Sequence, residues 1–183
     1  MDFAPDGWSD FFVATAGAAA ALAGLIIVAM TVNVSVILAI PSMSSRAGAT
    51  IGTLVLVVVS AAAGLIPQQS APMLGAEILV FALIAALLEV DSSIKMVRVA
   101  HIPAPDAAAN PAASGGADTA APSPSVQWIK ATIAVAQVLP FMLGAVFLLV
   151  GDWSGLYAVA AGILLVFICS VSNAWVLLVE ILR

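Results

Sequence analysis

Charge is what this sequence has least of. Only 8% of its 183 residues are charged, against about 25% in an ordinary soluble domain, and 63% are hydrophobic. A chain so short of polar surface cannot cover itself in water without aggregating, so a bilayer is the solvent that suits it. The scarcity is uneven in sign: 5 Lys and Arg stand against 10 Asp and Glu, a net charge of −5. That balance excludes the basic footprint a nucleic-acid partner needs. One cysteine, Cys169, excludes an internal disulfide framework and a cysteine-built zinc site. With His101 as the only histidine, a multi-histidine metal centre and a haem attachment motif are excluded as well. There is no HExxH, no GxSxG, no Walker loop and no acidic pair at metal-ligand spacing. His101 adjoins a proline-rich stretch that is a poor place to hold a general base. Nothing near Cys169 in sequence would activate it as a nucleophile. The expectation is a protein that is not an enzyme and carries no cofactor.

What is abundant is long apolar runs. A membrane-crossing helix takes about 20 mainly apolar residues. Five runs qualify: FFVATAGAAAALAGLIIVAM, continuing toward Pro41; GATIGTLVLVVVSAAAGLI, ended by Pro67; MLGAEILVFALIAALLEV; VQWIKATIAVAQVLPFMLGAVFLLV; and SGLYAVAAGILLVFICSVSNAWVLLVEIL. They lack the strict alternation of barrel strands, and open strand edges are not tolerated in lipid, so helix is the expected state. The first run is longer than a signal-peptide core and follows MDFAPDGWSD, which has three aspartates and no cation. It reads as a retained helix.

The five cations fix an orientation. Arg46 lies between runs one and two, Lys95, Arg98 and Lys130 flank the connection between runs three and four, and Arg183 ends the chain. With five spans all of these fall on one side, while the N-terminus, PQQSAP and GDWSG share the other side and hold none. The positive-inside rule then places the N-terminus outside and the C-terminus inside. KMVRVAH, residues 95–101, reads as a charged turn that anchors this topology on the cytoplasmic side. Trp8, Trp153 and Tyr157 at the outer ends, with Trp128 at an inner end, suit the membrane interface. The expected organisation is three membrane helices in residues 1–100, a disordered Ala/Pro-rich cytoplasmic linker over 101–126, and two more helices in 127–183. The linker has too little apolar surface to offset the entropy of ordering.

Polar residues inside apolar runs are costly, so each is a candidate intramembrane or partner-binding position. Gln137 falls near the middle of run four, three residues before Pro140, which would kink the helix and free the carbonyl of Ala136. Such a polar, kinked midpoint suits a transport site, or Gln137 simply bonds to a neighbouring helix or to that carbonyl. Toward the inner end, Asn33, Ser35 and Glu89 accompany a stripe of Cys169, Ser170, Asn173 and Glu180 on one face of run five. Arg46 at similar depth is a partner for Glu89 or Glu180. This group is either a polar vestibule or docking face, or an interhelical hydrogen-bond network. At the outer end, Gln68, Gln69 and Glu77 gather around a short turn as a solvated rim. Ala16, Ala20 and Gly24, and the pair Gly48 and Gly52, form small-residue ridges, which serve packing inside the bundle or self-association.

The stretch WSDFFVATAGAAAALAGLIIVAMTVNVSVIL, followed by SSRAG and LIPQQ, resembles the opening half of a set of small multi-pass membrane proteins of bacteria, especially high-GC actinobacteria. Some of these carry the label modulator of FtsH protease. Trp8, Asn33, Arg46, Pro67 and Gln68 are the matching positions. The resemblance implies a bacterial inner-membrane protein without known catalysis, and carries over no catalytic residue. The expectation is an all-α integral membrane bundle of five transmembrane helices. It would serve as a non-enzymatic accessory, scaffold or modulator of other membrane proteins, with a membrane protease as one candidate. Its partners would be the lipid bilayer and another membrane protein or further copies of itself, with no nucleic acid. The alternative is an oligomeric channel or transporter subunit with Gln137 and Pro140 at its midplane.

Overall fold

The computed structural model of the protein describes the backbone of residues 7–32, 41–100, 132 and 136–181, with side chains over 7–32, 48–94, 132 and 136–175. Asn33, the connection 101–126 and Trp128 lie outside the described residues, as do the side chains of Arg46 and Glu180. The described residues are all-helical, with no strand: α1 Trp8–Val32, α2 Pro41–Gly64, α3 Ala71–Ala100, α4 Leu139–Leu149 and α5 Gly155–Ile181. Helix starts follow local chemistry. Pro41, Pro72 and Pro140 each sit in the first turn of a helix, where a missing N–H leaves no bond unmade. Ahead of α5, the backbone N–H of Ser154 donates to Asp152 Oδ1 at 2.8 Å. Bonds from the Ser154 hydroxyl and backbone hold that carboxyl below the usual carboxylate range.

Two boundaries differ from expectation. KMVRVA is not a turn: α3 runs on through it to Ala100, carrying Lys95 and Arg98 as a helical extension beyond the apolar run. Nothing in that hexapeptide breaks a helix, and the first proline comes only at Pro103. Nor does Pro140 kink a continuous helix. Gln137 and Val138 form a turn, and α4 opens at Leu139 with Pro140 in its first turn and the N–H groups of Phe141 and Met142 on the Val138 carbonyl. Proline is accommodated more cheaply at a helix start than in an interior.

Among the described residues, three helices are long and apolar enough to cross a membrane: α1 over Trp8–Val32, α3 over Ala71–Ile94 and α5 over Gly155–Trp175. The apolar parts of the other two are shorter, Gly48–Gly64 in α2 and Leu139–Leu149 in α4. At 1.5 Å per residue the 11 residues of α4 span roughly 16 Å, about half a hydrocarbon core.

Each helix packs on its neighbour in sequence, and α5 returns to α2 and touches α1. The contact faces follow one rule. On α3, Gly75, Ile78, Ala82, Ala85, Glu89 and Ser92 are all buried and alternate steps of three and four. On α5, Leu156, Val159, Ile163, Val166 and Ser170 do the same, and half-buried Asn173 follows. This spacing keeps one seam facing the partner helix along its whole length. The core therefore runs as a column through Phe12, Leu54, Val57, Ile78, Phe141, Leu148, Val159 and Val166.

Close approach depends on glycine at particular crossings. A Cβ on Gly75 would meet the Ala145 carbonyl oxygen and the Leu149 nitrogen, both at 2.8 Å, so α3 rests directly on the backbone of α4. Gly144 and Gly155 touch where α4 meets α5, and Phe141 occupies the space a Gly162 side chain would need. Gly52 sits against Leu88. The ridge expected on α1 is not an internal packing face: Ala16 is half-buried, but Ala20 and Gly24 are exposed, with nothing within 4 Å of a Cβ on Gly24. The buried face of α1 is Phe12, Thr15, Ala19 and Ile26 instead. Phe12 has the size to decide which way the helix turns, and it packs over Gly64 of α2.

Candidate functional site

The buried seams change character along their length. At the end where α2 starts and α3 and α5 finish, apolar residues give way to Thr50 and Thr53 on α2, Glu89, Ser92 and Ser93 on α3, and Ser170 on α5, all buried. Gln137, from the turn ahead of α4, is buried at the same end. Its Nε2 donates to Glu89 Oε1 at 3.1 Å, joining α3 to the chain entering α4. Asn173 Nδ2 donates to Thr50 Oγ1 at 3.3 Å, joining α5 to α2. The Thr53 hydroxyl turns back to the Thr50 carbonyl at 3.0 Å. The half-buried Cys169 precedes Ser170 on α5.

This layer brings together Glu89, Gln137, Asn173 and Ser170, four residues expected from sequence at two separate sites. Gln137 belongs with the inner-end group because the break at 137–138 carries it to Glu89. Pro140 contributes by fixing that break rather than by lining a site. Glu89 has Gln137 as its hydrogen-bond partner. Glu77 stands apart at the opposite end, half-buried, with its Oε2 accepting from Gln69 Nε2 at 2.7 Å. Asn33 is outside the described residues, and so are the side chains of Arg46 and Glu180.

Thr50, Thr53, Ser92 and Ser93 are not among the residues that the sequence marks as candidates. The signal was there: Ser92 sits three residues after Glu89 on the same three-four register that buries Ile78, Ala82 and Ala85. Chemically the layer offers a carboxyl, two amides and several hydroxyls within apolar surroundings. Gln137 Oε1 and Ser170 Oγ are buried without a hydrogen-bond partner among the described residues. Among the described residues no three His, Cys, Asp or Glu side chains come together as a metal-binding group.

The chain matches no protein-family model, no curated protein and no solved structure.

Proposed function

We propose that the protein is a five-span bacterial inner-membrane protein, N-terminus outside and C-terminus inside, that acts without catalysis as an accessory or modulator of other membrane proteins. The observation carrying this reading is that two side-chain hydrogen bonds join separate parts of the interior, Gln137 to Glu89 and Asn173 to Thr50. Groups engaged across helix contacts hold the bundle together, and docking is left to the outer helix faces. Those faces are apolar, with Leu25, Val28 and Val32 on α1 and Ile168, Val171 and Trp175 on α5 all more than half exposed. The one-sided placement of all five cations supports the span count and orientation.

Orientation is checked with single cysteines in a Cys169→Ala background. Ser70→Cys and Ser154→Cys should react with an impermeant maleimide on intact cells, and Ser114→Cys only after permeabilisation. Labelling of Ser70→Cys and Ser114→Cys from the same side would end the five-span reading.

The accessory role is checked by native purification in mild detergent, with the mass and composition of the intact particle determined together. A reproducible heteromeric partner is the expected result. A pure homo-oligomer would shift the weight to a second reading, a channel or transporter subunit. Buried Glu89 favours that reading, because a carboxyl on the inward seam of an apolar helix is expensive and commonly marks an ion path. Glu89→Gln keeps the shape of the side chain, so a pore through this layer predicts lost flux with assembly retained.

A further inference from the structure

The outer surface of α5 is as regular as its buried seam. Tyr157, Ala161, Leu164, Ile168, Val171 and Trp175 are all exposed, at alternate steps of four and three. They form one row down the helix, on the side away from Val159, Ile163 and Val166. The two ends of the row are aromatic, Tyr157 at 72% exposed and Trp175 at 69%, and the residues between are aliphatic. Positions 157 and 175 are separated by about five full helical turns, so they share one azimuth and stand roughly 27 Å apart along the axis. Hydrocarbon cores run from about 27 to 33 Å in thickness. Tyr and Trp concentrate where that core meets the headgroups.

Polarity begins at both levels. At the first, Trp8 packs edge-on against Tyr157 with centroids 5.2 Å apart, which brings the start of α1 to the same height. Asp10, Asp152 and Ser154 near it are exposed. At the second, Ser172 is exposed and Asn173 bonds to Thr50 of α2 just ahead of Trp175. Trp175 is not among the interfacial aromatics that the sequence marks, because the apolar run continues past it as VLLV.

A protein partner would call for different residues. Apolar contact alone gives helices no reason to associate in lipid, and their interfaces favour small side chains that let backbones approach. Leu164, Ile168 and Val171 are bulky and more than half exposed. The glycines with open space around them, Gly17 and Gly24, belong to α1.

We infer that the outer face of α5 is a lipid surface, with Tyr157 and Trp175 anchored at the two edges of the hydrocarbon core. The inference rests on the reading of α5 as a membrane span, and it narrows protein docking to the other outer faces. The bilayer midplane then falls at the level of Val166, midway between the anchors. Asn173 lies roughly 10 Å from that plane, near the interface, where a polar group costs less.

The test uses the full chain with Cys169→Ala in phosphatidylcholine nanodiscs, carrying one nitroxide at a time at Ala161→Cys, Leu164→Cys, Ile168→Cys or Val171→Cys. Power-saturation EPR compares collisions with oxygen, which collects in hydrocarbon, and with a water-soluble nickel chelate. All four labels should meet oxygen far more than nickel. Labels at positions 164 and 168 should be deepest and equally deep, with those at 161 and 171 shallower by about 4.5 Å. Few collisions with either reagent would mean that protein covers the face, and the inference falls while the span stands. A maximum displaced to position 171 would take Trp175 out of the interface and overturn the anchoring. Frequent nickel collisions at 164 and 168 would put the helix in water, and the membrane reading would fail with the inference. A second measurement needs no cysteine changes. In fluorotryptophan-labelled protein, the Trp175 fluorine resonance, identified by its loss in Trp175→Phe, should broaden with a headgroup spin-labelled lipid and not with a chain-end one. The reverse pattern overturns the anchor.

Discussion

Gln137→Leu should destabilise the bundle by about 1.5–3 kcal/mol in SDS titration or steric trapping, the range for a lost buried hydrogen bond to an ionisable group. The substitution removes the donor that reaches Glu89 Oε1 at 3.1 Å and strands a carboxyl on a buried seam. The more informative outcome is the double variant. In Glu89→Leu/Gln137→Leu neither polar group remains to be stranded, and apolar replacement of both partners of a buried pair is often close to neutral. The double variant should therefore be more stable than Gln137→Leu alone, although it carries one more substitution. The difference measures coupling between the two sites. Additive losses would mean that the 3.1 Å contact contributes little and that Gln137 is held by its turn rather than by Glu89. Hydrogen bonds between membrane helices are often worth under 1 kcal/mol where the alternative state finds other partners, roughly 0.6 on average in one well-measured bundle. A result that small would point to ready substitutes for Glu89 among Ser92, Ser93 and the α5 stripe.

The helical state and a part of the inner-end polar group, Glu89, Cys169, Ser170 and Asn173, are legible in the sequence. Helical state follows from apolar runs that are too long and too unalternating for strands. The register that buries Ser170 follows from its place four residues after Val166. Other features depended on partners that a linear reading does not contain. Run four looks continuous and so puts Gln137 at a kinked midplane, yet Pro140 costs less in a first turn and α4 starts there. KMVRVA looks like a break because its charges follow an apolar run. Charge ends a membrane segment without ending a helix, since Lys and Arg are good helix formers once outside lipid. The α1 ridge stays out of the internal packing for a third reason. Small residues permit close approach on any face they occupy, and it is Phe12 packing over Gly64 that selects a different one.

That last point separates glycines that hold the structure from glycines that merely occur in it. Gly144→Val should be among the most damaging single substitutions in the chain. A Cβ at this position meets the Gly155 carbonyl oxygen and Val159 Cγ2, both at 2.6 Å, and the Val159 nitrogen at 3.0 Å. Two of those three atoms are backbone, so a rotamer change cannot relieve the clash, and α4 must separate from α5. Overpacking a tight core typically costs about 1–3 kcal/mol, and a contact against main chain belongs at the top of that range or above it. Gly75→Val should behave similarly, with the Ala145 oxygen and Leu149 nitrogen at 2.8 Å. Gly17→Val and Gly24→Val are the matched controls, since a Cβ at either meets nothing within 4 Å. Both should leave unfolding in detergent within about 0.5 kcal/mol of the parent, as exposed substitutions usually do. Equal losses in all four would show that glycine acts through helix propensity or backbone freedom rather than through close crossings. The expected split, two severe and two silent, places the mechanical constraint on the α3–α4–α5 side of the bundle. It leaves the outer face of α1, with Gly17 and Gly24, under no demand from the fold.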